Sequence, residues 1–369
     1  MVIVGGGVLG TMHAVMARRR GFSVVHLERE QEARGASVRN FGLVWVSGRR
    51  AGPELALALR ARELWEEIAA SAPGTGFRPA GSLTLATCDA ELRVLGEAAE
   101  LPDAKQRDFE LLGPDGVRAV NPALRGEFLG GLHCRADAIV EPRVTLPAIR
   151  SMLASTALAG PGYEWLPGRE AVEVVAHGVR DQRGRWYRGD LVVLCTGANF
   201  TGVAGPHLAA TPHHLRRVRL QMMQTAPFPE ALTTSVADGD SLRYYPAYDV
   251  PSLALLGPQT PAAAASRAQL LLVQRAGGGL TIGDTHAYDE PFAFDVEEEP
   301  YDHLRARAEA LLGRPLPRVL RRWAGVYSEV TGTSDLYHRS VVAPGVVLVT
   351  GPGGRGMTCS PAIAEETFP

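Results

Sequence analysis

The chain has very little lysine: it carries 38 basic residues, of which Lys105 is the one lysine and the others are arginine. Lys105 stands in the charged stretch LPDAKQRDFE, which has the composition of an exposed segment. Cysteine is also scarce, and the four cysteines, Cys88, Cys134, Cys195 and Cys359, form no CxxC pair and no dense framework. This spacing predicts four reduced thiols rather than a disulfide scaffold.

Long apolar runs and a strong net charge are absent as well. No uninterrupted apolar run approaches the roughly 18 residues of a membrane span, and no charged segment leads into an apolar signal-like stretch. The formal net charge of -2 gives no reason to expect nucleic acid or an anionic membrane as a partner. We therefore expect a cytoplasmic protein with neither partner. A homo-oligomer stays open, and 369 residues suggest about two domains.

The chain does have a glycine-rich opening, MVIVGGGVLGTMHAVMARRRGFSVVHLERE. Residues 2–4 are predicted as a buried parallel strand, residues 11–20 as a helix, and residues 22–27 as a second strand that ends at Glu28. The glycines Gly5, Gly7 and Gly10 stand between the first strand and the helix. This order and spacing are typical of the βαβ unit that binds dinucleotides.

Each of these residues has a physical task in such a unit. Gly5 permits the tight turn, Gly7 lets the backbone approach a pyrophosphate, and Gly10 allows close packing of helix on strand. The helix N-terminus offers free N–H groups and partial positive charge to the phosphates. Glu28 can accept hydrogen bonds from a ribose 2′-hydroxyl and would repel a 2′-phosphate, so NADP is disfavoured.

Three further segments favour FAD over NAD as the bound dinucleotide. RGASVRNFGLV (34–44) follows the second strand, DLVVLCTGANF (190–200) is a buried strand that breaks into a glycine turn, and GVVLVTGPGGRGMTCSPAIAE (345–365) is a strand, a glycine-rich turn and a helix start. The first and last units could point two helix N-termini at one long cofactor.

With these segments, the chain resembles the D-amino-acid oxidase superfamily of FAD enzymes, and most of all its glycine oxidase and sarcosine oxidase branch. The resemblance covers essentially the whole length in order, and GASVRNFG, GPGGRGMTCSPAIAE, EPR (141–143) and WAGVYSEVTGTSD (323–335) are its more specific parts. It implies that GASVRNFG lies beside the flavin and that the last turn holds the flavin pyrimidine.

Motifs and resemblance together give a set of cofactor-binding residues. They are Gly5, Gly7, Val8, Leu9, Gly10, Glu28, Arg29, Ala36, Ser37, Arg39, Asn40, Gly42, Val172, Thr196, Gly197, Gly353, Gly354, Arg355, Gly356, Met357 and Thr358. Sarcosine oxidases bind FAD covalently through a cysteine in the stretch that corresponds to AGVYSEV, which has no cysteine here. We therefore expect non-covalent FAD. No metal is expected, because His213 and His214 lack a third ligand at metal-site spacing.

The fold implied is α/β: a Rossmann-like FAD domain with a central parallel sheet, and a substrate domain with a large antiparallel sheet. The FAD domain is predicted at 1–79, 141–216 and 326–369, and the substrate domain at 80–140 and 217–325. Residues 52–70, 89–100, 144–158 and 298–312 have helical spacing, whereas 81–87, 170–175, 216–225, 243–248 and 277–289 are predicted as strands.

The resemblance also shows where the usual substrate anchor is missing. Glycine oxidases hold the substrate carboxylate with an arginine soon after Trp-Ala-Gly, where Val326 and Tyr327 stand here, and Gly354 replaces an arginine of their last turn. Sarcosine oxidases carry an oxygen-assisting lysine at the position of Thr281. We predict a substrate site among Arg49, Arg50, Arg243, Tyr245, Tyr327 and Arg355, with one of Arg49 and Arg50 facing the substrate because adjacent residues on an extended chain point opposite ways.

These features predict an FAD-dependent amine oxidase in which the flavin, and no side chain, carries the chemistry. The expected substrate is a small anionic amine, first of all an N-substituted glycine, with hydride transfer to flavin N5, hydrolysis of the imine and reoxidation by O2 to give H2O2. An aminophosphonate oxidase is the second interpretation. A flavin dehydrogenase with another electron acceptor, and a flavin-bound structural or sensory module, are the remaining alternatives.

Overall fold

The computed structural model describes residues 1–155, 162–210 and 214–368. His213 and the end of the helix predicted at 144–158 lie outside these residues. The described strands are β1 Val2–Val4, β2 Val24–Glu28, β3 Leu43–Val44, β4 Ser82–Ala86, β5 Phe109–Leu112, β6 Gly130–Cys134, β7 Ala138–Ile139, β8 Tyr163–Pro167, β9 Ala171–Val175, β10 Gly178–Asp181, β11 Trp186–Arg188, β12 Val192–Leu194, β13 Leu215–Pro227, β14 Ser235–Ala237, β15 Leu271–Gln274, β16 Gly279–Gly283, β17 Val319–Val330, β18 His338–Ala343 and β19 Val346–Thr350.

The α-helices of the same residues are α1 Val8–Arg19, α2 Pro53–Ser71, α3 Asp89–Ala99, α4 Pro114–Val120, α5 Pro142–Ala154, α6 Gly205–Ala210, α7 Pro261–Ser266, α8 Glu298–Leu312 and α9 Gly356–Glu365. Among them, none is long and apolar enough to cross a membrane.

The first sheet has the strand order β18-β19-β12-β1-β2-β8. Strands β19, β12, β1, β2 and β8 run parallel, and β18 adds an antiparallel edge. The central strand β1 reads VIV and is buried on both faces, as expected for a parallel sheet covered by helices. Helix α1 packs against α9 and α5, so the two ends of the chain share one core.

The second sheet has eight strands in the order β17-β13-β16-β15-β14-β4-β6-β5. Its pairs are antiparallel, except that β14 and β4 run parallel. Small sheets of β9–β11 and of β3 with β7 complete the fold. The predicted α/β class with a parallel sheet and a large antiparallel sheet is confirmed, whereas the domain boundaries stay a prediction.

One predicted strand is wrong and another is shorter than predicted. Residues 243–248 form parts of two short 3₁₀ helices, Gly239–Arg243 and Pro246–Tyr248. The Asp238 side chain accepts a hydrogen bond from the Asp240 N–H and so begins the first, and Pro246, which lacks an N–H, begins the second. The strand predicted at 277–289 is limited to Gly279–Gly283. Helix α1 also begins at Val8, three residues earlier than predicted, because Gly10 belongs to the first helical turn rather than to the loop.

Candidate active site

A cavity of about 710 Å³ lies between the two sheets. Val4, Leu27 and Cys195, at or just beyond the carboxyl ends of parallel strands, form one part of its wall, and Leu220 and Leu271 of the antiparallel sheet form another. The carboxyl ends of parallel strands are where open α/β sheets bind their ligands. The cavity therefore joins a nucleotide-type edge to the sheet that is predicted to bind the substrate.

The glycine turn between β1 and α1 is shaped by close backbone approaches. Gly5 has φ +106°, and a Cβ there would lie 2.2 Å from the Cys195 carbonyl oxygen. A Cβ on Gly10 would lie 1.9 Å from the Gly5 carbonyl oxygen. Gly7 is extended and caps α1 without a side-chain hydrogen bond, and Gly7, Val8 and Leu9 all line the cavity. This cradle fits the pyrophosphate of a dinucleotide.

Glu28 is fixed at the end of β2 by two backbone donors. The Gly6 N–H donates to Oε2 at 2.6 Å, and the Glu30 N–H donates to Oε1 at 2.9 Å. The residue is 9% exposed and lines the cavity. Each carboxylate oxygen retains acceptor capacity toward the cavity, as the binding of ribose hydroxyls requires. The geometry suits the predicted role of Glu28.

The segment after β2 is held by its own side chains. Asn40 Nδ2 donates to the Ala36 carbonyl oxygen at 2.8 Å, and Asn40 Oδ1 accepts from the Gly42 N–H at 2.6 Å. Ser37 Oγ accepts from the Val8 N–H at 2.9 Å, which ties this segment to the first turn of α1. Asn40 and Ser37 thus shape the cavity wall as well as lining it.

The turn before α9 closes the cavity from the other end of the chain. Thr358 Oγ1 donates to the Leu43 carbonyl oxygen at 3.2 Å and accepts from the Trp45 N–H at 2.9 Å. Thr196 Oγ1 is buried on the cavity wall and has no hydrogen-bond partner among the described residues. An unpartnered buried hydroxyl facing a cavity is expected to be completed by a polar ligand atom.

Most of the predicted cofactor residues line this cavity. They are Gly5, Gly7, Val8, Leu9, Glu28, Arg29, Ala36, Ser37, Arg39, Asn40, Thr196, Gly197, Gly353, Gly354, Gly356, Met357 and Thr358. The others lie off its wall. Gly10 packs closely against the Gly5 carbonyl oxygen. Gly42 packs against the Val140 carbonyl oxygen, which a Cβ on Gly42 would approach to 2.2 Å. Val172 is 45% exposed and its neighbour Ala171 lines the wall, so the prediction is displaced by one residue.

Arg49 is the predicted substrate arginine that the structure brings to the cavity. It is 6% exposed, and its Nε donates to the Trp45 carbonyl oxygen at 2.9 Å. Its Nη1 lies 3.6 Å from Glu54 Oε1, and Arg355 Nε lies 3.3 Å from the same oxygen. One buried carboxylate therefore faces two guanidinium groups, and the cluster of these three residues has a surplus positive charge beside the cavity.

The other arginines predicted for the substrate site lie off the wall. Arg50 points away from Arg49, and its side chain is 64% exposed with Asp249 4.0 Å distant. Arg243 is turned outward and donates to the Gly257 carbonyl oxygen, because the segment is a 3₁₀ helix rather than a strand. Arg355 stands behind the wall, where its Nη1 donates to the Leu336 carbonyl oxygen at 2.8 Å.

Three tyrosines line the same end of the cavity. Tyr245 and Tyr327 are predicted site residues, and Tyr244 joins them, with its hydroxyl 3.4 Å from that of Tyr327. Burial raises the pKa of Tyr245 and Tyr327 well above the usual value of a phenol. These groups stay neutral at physiological pH and can act as hydrogen-bond partners without adding charge.

Gln269, Asp284 and His286 are among the polar wall residues that sequence reasoning missed. Asp284 is 5% exposed and follows β16 directly. Burial raises the pKa of its carboxyl group. The available signal was the pair of polar, chemically capable residues in GDTH at the end of a buried strand.

Cys359 is fully buried and off the cavity wall, and burial raises the pKa of its thiol to about 11. Cys195 reaches the wall next to the glycine turn, and burial raises the pKa of that thiol too. Neither thiol is in the ionised form that reacts readily. Across the described part of the chain, no group of three or more His, Cys, Asp or Glu residues could hold a metal ion.

Comparison with known proteins places this geometry in context. The family model described as DAO, FAD dependent oxidoreductase, matches residues 1–368. One of the subunits of opine oxidase from Rhizobium meliloti is 30% identical over 148 residues, which cover 37% of this chain and 40% of that protein. The matched stretch thus spans less than half of the relative.

Solved structures match over nearly the whole chain. Glycine oxidase from Geobacillus kaustophilus has a TM-score of 0.75 and 19% identity, covering 98% of this chain and 91% of that one. L-proline dehydrogenase from P. horikoshii has a TM-score of 0.76 and 19% identity, covering 99% and 90%. Iminodiacetate oxidase from Chelativorans sp. BNC1 has a TM-score of 0.74 and 16% identity, covering 99% and 93%. At these identities the likeness shows the shared fold.

Proposed function

The chain belongs to the DAO family of FAD-dependent oxidoreductases, and from this premise we propose that it is an amine oxidase acting on a small anionic secondary amine. An N-substituted glycine is the first choice of substrate, with O2 as electron acceptor and H2O2 as product. Glycine oxidase and iminodiacetate oxidase stand among the structural relatives, which supports an amino-acid substrate.

The observation that carries this proposal is the buried guanidinium of Arg49 on the cavity wall. It shares Glu54 with Arg355, so an anionic ligand would complete the charge balance of the cluster. A guanidinium can donate two parallel hydrogen bonds to a carboxylate, which fixes the orientation of the substrate as well as its charge. The arginine that glycine oxidases use is absent, and Arg49 would take over its task.

Bound FAD would supply the hydride acceptor for oxidation of the C–N bond. The residues of this chain would hold it through the glycine turn, Glu28, Thr196 and the turn before α9. Arg49 would orient the substrate anion. The phenols of Tyr245 and Tyr327 would lie beside the substrate amine, and because they are neutral they would add no charge to the site. The apolar side chains of Leu220, Met222 and Leu271 would limit the water in the site.

An aminophosphonate is the second candidate substrate. The surplus positive charge of the cluster of Arg49, Glu54 and Arg355 attracts an anion of either kind, and a guanidinium can bind phosphonate oxygens as well as carboxylate oxygens. The Arg49 site would serve either anion. The choice between them is therefore one of substrate chemistry and is open to direct measurement.

The test is anaerobic titration of the FAD-loaded protein with sarcosine, iminodiacetate and 2-aminoethylphosphonate, followed by flavin absorbance. We expect bleaching by at least one of them, and H2O2 when air is admitted. Bleaching without H2O2 would indicate a dehydrogenase with another acceptor. A flavin spectrum unchanged by every amine would reject the amine oxidase proposal.

A further inference from the structure

The carboxylate of Asp284 is buried on the cavity wall without an arginine or lysine partner among the described residues. Its Oδ1 accepts from Gln269 Nε2 at 3.2 Å, and its Oδ2 lies 4.0 Å from His286 Nε2. A carboxylate removed from water is strongly disfavoured unless a cation or several donors face it. One side-chain amide N–H, the backbone N–H of Asp284 itself and an imidazole at 4.0 Å leave this requirement partly unmet.

The neighbours of Asp284 are oriented so that they too present acceptors. Because Gln269 donates through Nε2, its Oε1 is directed elsewhere, and this oxygen is buried without a hydrogen-bond partner among the described residues. Gln269 itself is 2% exposed and lines the cavity. His286 Nδ1 lies 3.1 Å from the Arg267 carbonyl oxygen and must donate to it, so in the neutral ring Nε2 carries the lone pair.

Three acceptor groups with few donors are typical of a site for a cation that carries N–H groups. Aromatic faces adjoin them: the Tyr244 ring is stacked on His286 with centroids 4.4 Å apart. Charged and titratable groups near this corner come from several segments: the phenols of Tyr244, Tyr245, Tyr288 and Tyr327, the Glu329 carboxylate off the wall, Arg267, whose Nη1 donates to the His286 carbonyl oxygen at 3.4 Å, and Arg217 of the wall, which is paired with Glu290. Arg49 and Asp284 both act on Tyr245. The anion site and the acceptor corner thus meet at Tyr245.

Resting on the proposed function, we propose that Asp284, with Gln269 and His286, binds the ammonium group of the substrate and accepts its proton. An ammonium nitrogen has no lone pair, so a hydride cannot leave the adjacent carbon until one N–H proton is removed. The N–H bond would break, its electron pair would stay on nitrogen, and a new O–H bond would form on the Asp284 carboxylate. In a dry cavity the neutral amine and carboxylic acid compete well with the ion pair, because neither needs the solvation that charges lose.

Gln269 has a separate, positioning role in this proposal. Its N–H stabilises the ionised form of Asp284, which is the form that can receive a proton. Its free Oε1 can accept the second N–H of a secondary ammonium group. The substrate would then be held at both ends, with its anion on Arg49 and its nitrogen at Asp284.

The experiment compares wild-type protein, Asp284→Asn and Glu329→Gln, each loaded with FAD. The probe is whichever of sarcosine, iminodiacetate and 2-aminoethylphosphonate reduces the wild-type flavin, and the rate of anaerobic flavin reduction is measured from pH 6 to pH 10. In Asp284→Asn we expect a rate lowered by about 100-fold near pH 7, which then rises about tenfold per pH unit as the amine loses its proton in solution. Glu329→Gln removes a nearby charge that is off the wall and paired with Arg216, and it should not produce the tenfold rise per pH unit expected for Asp284→Asn.

An Asp284→Asn variant with the wild-type rate and profile, or with the same loss at every pH, would overturn the proposal. If that variant does not retain FAD, Gln269→Leu decides. Loss of the Gln269 donor should move the acid limb of kcat/KM to higher pH, and an unmoved limb counts against the role of Asp284. A wild-type flavin that no amine reduces would overturn the proposed function and this inference together, whereas amine oxidation with unaltered variant profiles would remove only the inference.

Discussion

Arg49 Nη1 lies 3.6 Å from Glu54 Oε1, and both residues are only 6% exposed. The carboxylate is divided between Arg49 and Arg355, so Arg49 is not fully neutralised within the protein. Arg49 therefore differs in its environment from its neighbour Arg50, whose side chain is exposed to solvent.

We predict that Arg49→Ala lowers kcat/KM by roughly 10- to 100-fold, as expected for the loss of a charged hydrogen bond of about 1.5–3 kcal/mol. Arg50→Ala is the matched control and should keep wild-type kinetics, because its side chain is off the cavity wall. FAD content is measured first and steady-state kinetics second. Equal effects of the two substitutions would show that the anion is bound elsewhere.

For the cofactor, we predict that Glu28→Ala weakens FAD binding by about 1.5–3 kcal/mol, since its carboxylate is placed to accept charge-assisted hydrogen bonds. Titration of apoprotein with FAD should give a dissociation constant raised by about 10- to 100-fold. Glu32→Ala, which removes an exposed carboxylate off the cavity wall, serves as control. An unchanged Glu28→Ala affinity would remove Glu28 from the site.

We also predict that FAD is bound without a covalent link. Cys359 is buried off the cavity wall, and burial keeps its thiol protonated. Acid precipitation should release yellow flavin into the supernatant. Flavin retained in the pellet would contradict this, and mass spectrometry of Cys195→Ser and Cys359→Ser would then identify the attachment site.

A stability prediction concerns Asp238, which is fully buried and accepts hydrogen bonds from Arg307 and from the N–H groups of Leu270 and Asp240. Burial raises its pKa to about 6. Between the ordinary value and about 6, the folded protein binds more protons at this site than the unfolded chain does. The contribution of Asp238 to the free energy of unfolding is therefore present at low pH and lost as pH rises through about 6, by about 3 kcal/mol at most.

The measurement is urea unfolding of wild-type protein and Asp238→Asn at several values from pH 4 to pH 8. The wild-type protein should lose stability relative to the variant as pH rises, because Asn cannot ionise. A constant difference across this range would show that Asp238 does not titrate in the folded state. The pH dependence common to both proteins cancels in this comparison.

The sequence predicts most of the cofactor side of the fold, since the glycine turn, β1, α1 and Glu28 are specified by spacing within one short segment. The sequence also predicts that one of Arg49 and Arg50 faces inward. Which of the two does so depends on the packing of Glu54 in α2, because Glu54 lies beside Arg49. The Asp284 corner is different, because it exists only once the Gln269 and Asp284 backbones pair across the sheet. Nothing local to either residue reveals that pairing.

The errors at 243–248 have a similar origin. The three tyrosines of RYYPAY favour a strand by their β propensity, yet Asp238 and Pro246 direct the backbone into 3₁₀ turns. The resulting turn brings Tyr244 and Tyr245 to the cavity and points Arg243 away from it. A pattern of side chains could not show which competing backbone preference would prevail.

The order of strands in the first sheet determines when this sheet can fold during synthesis of the chain. Strand β1 emerges early, but its neighbour β12 and then β19 must follow before the sheet is whole, and α9 packs on α1 only after that. Such long-range closure delays folding of this sheet until β19 and α9 have been synthesised. A nascent chain halted before residue 346 would hold its glycine turn in an incomplete sheet, without the turn before α9 that lines the other part of the cavity.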